Sequence, residues 1–431
     1  MPFPLRLHVT RFALITITLL GCSTVMFAAD AAWQDLQDQN RELRTQLQTQ
    51  QQQLNELRAE MKRIAGIHET ISVQSEAPRS EGSNRKLVIS GEIGLAFFAS
   101  SQNGRYRNKE FRVDDANLHL EAAIANNTYF FGELQFSKQE AADEAFHLGE
   151  FYVDFEAVSA LFGGPDRLLN IRFGRIDIPF GEEYQRRDPL ANPLITHSLS
   201  DVWGTDEGIE LYGELGRFSY AFAVQNGSTK TMHDYNADKA LTLRVGLDLT
   251  SKLHVSASAM RTGELASALE PTSEVWFGNV VFRNIGTTQS TTHQADLAEL
   301  DATYTWKTGH VWTAVGQARY RDNDRLRDNT RNFDYFQVEA VQALQREFYG
   351  AVRFSTLRVD RGYPIAGIGN LVKYFLTDLQ TKELQRISVG GGYRVNPSLI
   401  LKCDYTLEDA KLTTGVARDN HLFSFETALG F

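Results

Sequence analysis

The sequence predicts an all-β chain: a 16-stranded antiparallel transmembrane β-barrel preceded by an N-terminal α-helical coiled coil. Three observations predict it. The last segment, LFSFETALGF, alternates, with Phe423, Phe425, Leu429 and the terminal Phe431 on one face and Ser424, Glu426, Ala428 and Gly430 on the other. Segments of the same kind recur from Lys86 onward, joined by connections that are short and long in turn. Ahead of them, Trp33 to Ala65 carries heptads uninterrupted by Gly or Pro. Alternation of this type suits a wall with lipid on one side and water on the other, which needs only every second residue to be apolar.

Composition excludes the rival classes. With 42% apolar residues among 431 and a mean hydropathy of −0.32, the chain is too polar for a helical membrane protein. Beyond residue 28 it holds no apolar run long enough to cross a bilayer as a helix. A net charge of −10 argues against nucleic acid as a partner, because phosphate binding needs concentrated basic charge. Of the two cysteines, Cys22 lies in the targeting segment and Cys403 in a late strand, so a mature chain has no internal disulfide framework.

The first element, residues 1–31, reads as a signal peptide. Arg6 and Arg11 give a basic start, Phe12 to Ala29 an apolar stretch, and Ala29 and Ala31 an A-x-A cleavage pattern. Lipoprotein processing at Cys22 is the alternative, since Leu19-Leu20-Gly21-Cys22 resembles a lipobox. Residues 32–71 follow as a coiled-coil stalk. Trp33, Asn40, Leu47, Leu54, Met61 and His68 occupy a positions, and Leu36, Leu43, Gln50, Leu57, Ile64 and Ile71 occupy d positions. The seam rests on Leu36, Leu43, Leu47, Leu54, Leu57, Met61 and Ile64, and Asn40 and Gln50 reduce stability while fixing register or strand number. A single solvated helix or a Gln-rich disordered tract is the plainer reading. Residues 72–85, SVQSEAPRSEGSNR, form a polar linker.

Residues 86–431 hold the barrel. Sixteen segments alternate: 86–99, 110–124, 128–139, 147–158, 168–177, 206–215, 217–226, 240–249, 252–262, 294–306, 310–321, 332–344, 346–358, 384–395, 398–409 and 420–431. Every second connection is short, such as Ala125-Asn126-Asn127, Gly216, Thr250-Ser251 and Asn396-Pro397. Those between them tend to be long: 178–205, 227–239, 263–293 and 359–383. A soluble β-sandwich has no reason to sort its loops by side, whereas an outer-membrane barrel does. A charge in hydrocarbon costs about 2 to 4 kcal/mol at the midplane. The charged face of each strand is therefore predicted to be the lumen, which turns Cys403 toward lipid.

The long connection 178–205, IPFGEEYQRRDPLANPLITHSLSDVWGT, cannot be a strand, because it carries Pro179, Pro189 and Pro193. Glu182, Glu183, Arg186, Arg187, Asp188, His197 and Asp201 give it charge of both signs. Folded into the barrel, it would narrow a channel and set selectivity through its field. An ordinary solvent loop is the plainer alternative. Basic residues recur at lumen parity, namely Arg112, Arg172, Arg244, Arg353, Arg386, Arg394 and Lys402, and in a ring they would favour anions. Asp114, Glu121, Asp154, Asp248, Asp404 and Glu408 share that face and would offset them. No nucleophile elbow, metal-ligand spacing or phosphate loop is present, so no catalytic residue, metal or cofactor is expected. His197, Ser198, Ser200 and Asp201 are the only hydrolase-like grouping. Gly390-Gly391-Gly392 lies inside a strand and is expected to let the wall bend.

Ile171 to Glu183 (IRFGRIDIPFGEE), Asp206 to Ser228 (DEGIELYGELGRFSYAFAVQNGS) and the final ETALGF resemble the bacterial outer-membrane porins of the phosphate-selective O and P family. The resemblance spans residues 86–431. It implies a trimeric sixteen-stranded channel in the outer membrane, narrowed by inward loops and preceded by a short periplasmic coiled coil. Selectivity for phosphate in that family depends on an arginine-rich constriction and a lysine cluster. The loop here offers Arg186 and Arg187 beside three acids, and no lysine cluster. The expected partners are outer-membrane lipid, further copies in a homotrimer, small hydrophilic solutes or anions, and the barrel assembly machinery that reads a strand ending in Phe431. The rival reading is structural, with the stalk tethering the barrel to peptidoglycan or a periplasmic partner.

Overall fold

The computed structural model describes residues 87–431 except 103, 105, 138–145, 200, 228–233, 235, 267–271, 278–279, 284–288, 346, 365 and 368–379. The signal peptide, coiled-coil seam and linker predicted above lie outside the described residues. Each predicted alternating segment is a strand: β1 (Leu87–Ser100), β2 (Glu110–Ala125), β3 (Thr128–Ser137), β4 (His147–Phe155), β5 (Asn170–Asp177), β6 (Thr205–Leu215), β7 (Phe218–Gln225), β8 (Ala240–Thr250), β9 (Leu253–Arg261), β10 (Thr292–Trp306), β11 (Gly309–Asp322), β12 (Arg331–Ala343), β13 (Phe348–Pro364), β14 (Gln380–Asn396), β15 (Leu399–Leu412) and β16 (Ala417–Gly430). Each pairs antiparallel with the next, and Leu265–Ala266 extends the edge of β9 along β10.

The sheet closes because β16 returns to β1, from Glu92 opposite Gly430 to Ser100 opposite Leu422. Phe431 completes the seam by exchanging backbone hydrogen bonds with Gly91, both 3.1 Å. Closure leaves no unpaired edge, the condition for a sheet to sit in lipid. The short turns have local causes. Asn127 and Gly216 supply left-handed backbone, at φ 55° and 65°. Thr250 Oγ1 accepts from the amides of Lys252 (3.2 Å) and Leu253 (3.0 Å).

The two faces separate as charge requires. Along β15, Ile400, Lys402, Asp404, Thr406, Glu408 and Ala410 are buried, while Cys403, Tyr405 and Leu407 are exposed outward. A bulge at Gly94/Leu95 sets Gly94 opposite Asp115 and Leu95 opposite Val113, leaving Asp114 as the extra residue. It brings Arg112 and Asp114 inward together with Asn117 and His119, which strict alternation would place on opposite faces.

One departure from the expected pattern matters. Near the long-loop ends of β9 to β15 the polarity reverses. Leu357, Val359, Leu384, Ala410 and Leu412 face inward and are buried with Tyr320, Phe333 and Tyr363. Meanwhile Arg358 and Lys411 point outward and pair with Glu383 at 3.4 and 3.1 Å. Here the outside is water and the inside is filled by protein. This is why β13 to β15 run past the predicted ends at 358, 384 and 409, where apolar-outward alternation stops. Residues Val202–Trp203, Thr272–Phe277, Val280–Arg283 and Ala366–Gly367 form a second, four-stranded sheet from the long connections.

Candidate functional site

The connection between β5 and β6 is folded into the barrel, with Ile178, Phe180, Leu194, Ile195, Leu199 and Val202 all buried. The entry turn has a steric cause. Gly181 holds φ 70°, its amide donates to Ser258 Oγ at 3.0 Å, and a Cβ there would lie 2.3 Å from Glu299 Oε1. Only glycine meets both conditions.

Beyond that turn the loop is pinned to the wall of β12 to β15. Arg353 Nε donates to Glu339 at 2.8 Å, while its other nitrogens donate to the Thr196 carbonyl (2.5 Å) and to Asn192 Oδ1 (2.9 Å). Arg386 donates to the His197 carbonyl and to Glu408, both 2.9 Å. Lys402 Nζ reaches the carbonyls of Pro189 (2.7 Å) and Leu194 (3.2 Å) and pairs with Glu426 at 3.0 Å. Asp404 Oδ2 accepts from the amides of Ile195 (2.8 Å) and Thr196 (3.2 Å). Tyr349 donates to the Pro193 carbonyl at 3.0 Å. A Cβ at Gly392 would lie 2.6 Å from the Tyr349 hydroxyl and 2.7 Å from its ring. Gly392, in the glycine run expected to bend the wall, therefore clears space for a loop contact.

The seven loop residues singled out in the sequence all come inside. Glu182 pairs with Arg244 at 2.7 Å, and Arg244 also lies 5.5 Å from the Tyr184 ring. Arg186 stacks 5.4 Å over Trp312. Arg187 grips both oxygens of Asp201, each at 3.3 Å, and His197 Nδ1 faces the same carboxylate at 3.3 Å. Glu183 accepts from the Ser198 amide at 3.0 Å and from its hydroxyl. Asp188 is exposed, and its carbonyl accepts from the amides of Ala191 and Asn192 at 2.9 and 2.8 Å.

Electrostatics splits the two buried loop acids. Burial pushes the Glu183 carboxyl up to about 7, helped by neighbouring Asp201. Burial acts the same way on Asp201, but Arg187 and His197 outweigh it and hold that carboxyl below its ordinary value. Ligand atoms of Glu183, His197 and Asp201 lie within 4.8 Å of one another, a spacing that suits a cation. The Arg187 guanidinium already takes the Asp201 oxygens, and Ser198 those of Glu183. Of the hydrolase-like grouping, His197 and Asp201 come together among the described residues, but Ser198 turns to a different carboxylate. Ser198 donates to Glu183 and is 0% exposed, so no substrate reaches it. Ser200 lies outside the described residues.

The basic lumen positions other than Arg394 have therefore gone to structure. Arg353, Arg386, Lys402 and Arg244 hold the loop. Arg112 faces Asp114 at 3.3 Å. Arg394 is exposed at the short-turn end of β14. Arg172 pairs with Asp154 (2.9 Å) and Glu210 (3.3 Å), with the rings of Tyr212 and Tyr152 at 4.4 and 5.0 Å.

Opposite the pinned wall, a cavity of about 280 Å³ remains between the loop and the inner face of β2 to β6. Asp115, Asn117, His119, Glu133, Glu150, Arg172 and Glu210 line it from the wall, and Tyr184, Arg187, Asp188 and His197 from the loop. Most of the wall set escaped the sequence reading. In 110–124 the bulge at Asp114 hid the parity of Asp115, Asn117 and His119, whereas Glu150 shares the parity of Asp154 and was legible by counting along 147–158.

No protein-family profile matches the chain, and no curated protein matches it in sequence. Solved structures do match its fold. OmpT of Vibrio cholerae in a trimer form aligns at TM-score 0.51 and 10% identity, over 81% of this chain and 100% of that one. The anion-selective porin from Comamonas acidovorans gives the same four values. The outer-membrane channel DcaP of Acinetobacter baumannii aligns at TM-score 0.51 and 10% identity, over 82% of this chain and 100% of its own. The chain thus has the closed sixteen-stranded fold of outer-membrane channels.

Proposed function

We propose that the chain is an outer-membrane porin, a water-filled channel for passive diffusion of small hydrophilic solutes, with residues 178–204 as its constriction. The observation that carries this reading is the inward loop. A long connection held across the lumen by Arg353, Arg386, Lys402 and Asp404, with a charged cavity left beside it, is built to narrow a passage without closing it. Passive flow through it needs no cofactor and no catalytic group.

Assembly as a homotrimer is part of the same reading, supported by the trimer form of a structural neighbour and by the outward apolar wall. On this reading the signal peptide 1–31 directs export and the coiled coil 32–71 stands in the periplasm as a second oligomer contact. The likeness to phosphate-selective porins rests on Ile171 to Glu183, which build β5 and the start of the inward loop, on Asp206 to Ser228 and on the final ETALGF of β16. An anion preference draws support from the printed name of the Comamonas acidovorans neighbour and from Arg172 and Arg187, which touch the cavity. It is weakened by the pairing of both.

Single-channel recording of the purified full-length protein in a planar bilayer tests the reading. Stepwise conductance in groups of three is the expected result. Folded, heat-modifiable protein that never conducts would sink it.

A further inference from the structure

We propose that the turn between β4 and β5, residues 156–169, is a membrane foot. Its tip, Leu161 and Phe162, is seated in the lipid leaflet on the short-turn side and extends the apolar face of the barrel where the wall is lowest. The inference goes beyond the channel reading and holds whether or not the barrel conducts. Among the described residues, the other connections on that side are as brief as 126–127 and 216–217 and no longer than 344–347. This one contains a 3-10 helix, Val158–Phe162.

The tip is apolar, exposed and held in place. Residues 157–165, AVSALFGGP, carry no charge. Ala160, Leu161, Phe162 and Gly163 are exposed in succession, Leu161 at 81% and Phe162 at 83%. Such a run is unfavourable in water unless something covers it. Gly163, at φ 77°, donates to the Ala160 carbonyl (3.0 Å), Gly164 to that of Ser159 (2.9 Å), and the Leu169 amide to Ser159 Oγ (3.2 Å). A locked turn showing two large apolar side chains loses little entropy when they are covered.

Position identifies the cover. Tyr212 faces the lumen, where it donates to Asp154, so Gly213 beside it and Tyr220 opposite Gly213 face outward. Tyr220 donates to the Leu168 carbonyl at 2.8 Å, and a Cβ on Gly213 would lie 2.1 Å from that oxygen. The returning end of the turn therefore leans over the outer face of β6, not under the lumen. It starts directly after the exposed Phe155 and reaches the level of the exposed Leu215 and Phe218. The wall here is low: β4, β5 and β7 have 9, 8 and 8 residues, against 17 in β13 and in β14. Eight residues at about 3.3 Å each, tilted by about 40°, rise about 20 Å, short of an apolar band of about 25 Å. Apolar side chains beyond the strand ends relieve that mismatch with the lipid. A second copy is the poorer occupant. Outward depressions at Leu148, Phe151 and Phe173 and at Leu95, Phe97 and Phe111 lie at mid-wall or nearer the long-loop rim. Copies related by an axis along the membrane normal stay level, so neither depression receives the foot.

The test places a nitroxide label on the full-length chain, with Cys22→Ser and Cys403→Ser removing the native thiols. Phe162→Cys carries the label in one preparation and Leu161→Cys in a second. Thr308→Cys, exposed in the turn between β10 and β11, is the aqueous reference. Both tip side chains are exposed, so neither replacement disturbs packing, and heat-modifiability confirms the fold. Each protein is reconstituted into phosphatidylethanolamine–phosphatidylcholine vesicles and exposed to oxygen and to a water-soluble nickel chelate. At 161 and 162 the ratio of oxygen to chelate collisions should exceed that at 308 by about fivefold, since oxygen concentrates in lipid and the chelate stays in water. Chelate access equal to that at Thr308 would place the tip in water and overturn the proposal. Spectral broadening that disappears on dilution with unlabelled protein would overturn it too, by showing that a second copy covers the tip.

Discussion

The inner faces of β12 to β15 and of β2 to β6 are both studded with charge, yet they do different things. On β13 to β15, Arg353, Arg386 and Lys402 are almost wholly buried, and each has a carboxylate partner on the same wall and loop carbonyls in front. On β2 to β6 the carboxylates outnumber the cations and border a cavity. The difference teaches that a charged side chain at lumen parity is not thereby a selectivity element. Where a loop dries the wall, the charge becomes an anchor, because a buried ion must be paired and hydrogen-bonded to persist. Where water remains, its field reaches the solute.

Breaking the pinned wall should have the largest effect. Arg353→Met leaves Glu339 buried without its guanidinium partner and removes the donors to the Thr196 carbonyl and Asn192 Oδ1, at a cost of about 3 to 5 kcal/mol. The expected outcome is a lower unfolding temperature in the heat-modifiability assay together with larger, noisier single-channel conductance as the loop leaves the wall. Unchanged conductance in a folded variant would show that the loop does not narrow the passage.

Gly181→Val should come next, at about 1 to 3 kcal/mol, because a β-branched residue is strained at φ 70° and its Cβ meets Glu299. Thermal unfolding checks it, and Gly216→Ala provides the contrast. That turn glycine also has positive φ but no atom within 4 Å of its Cβ, so only the backbone term applies.

A smaller effect concerns pH. Glu183 is held up to about 7 from an ordinary value of 4.5. The folded loop therefore binds a proton that the unfolded chain releases, and the stability this contributes is complete below about pH 4.5 and lost as pH rises through about 7. Glu183→Gln should flatten the dependence of loop-related current noise over that window. Asp201, held low, acts in the opposite sense, losing its contribution as pH falls through the acidic range.

The smallest expected change in stability, and the sharpest contrast with Arg353, is Asp188→Asn on the cavity side. Its exposed side chain should alter stability by no more than about 0.5 kcal/mol. The reversal potential in a KCl gradient should nevertheless move toward lower cation preference. A large stability loss with no shift in reversal potential would mean that Asp188 is an anchor like Arg353 and not a charge whose field reaches the solute.

The barrel was legible because lipid imposes a rule on every second residue. Tyr405, Leu407, Phe423 and Phe425 face out, Lys402, Asp404, Ser424 and Glu426 face in, and both faces can be read by counting. The rule failed where lipid ends. Leu357, Leu384 and Leu412 look outward by composition but face inward, because a packed loop replaces the lumen water there.

Strand number, the sorting of loops and the presence of a long connection rich in charge were set by the sequence alone, since period-two alternation, short turns and prolines are local properties. Which charges anchor and which face solute was decided only in the tertiary structure. That choice depends on where residues 178–204 lie, and their seat is built from Arg353, Arg386, Lys402 and Asp404, more than 150 positions away in the chain. Local pattern carries no record of such a contact, and burial by that contact is what turns a lumen charge into structure.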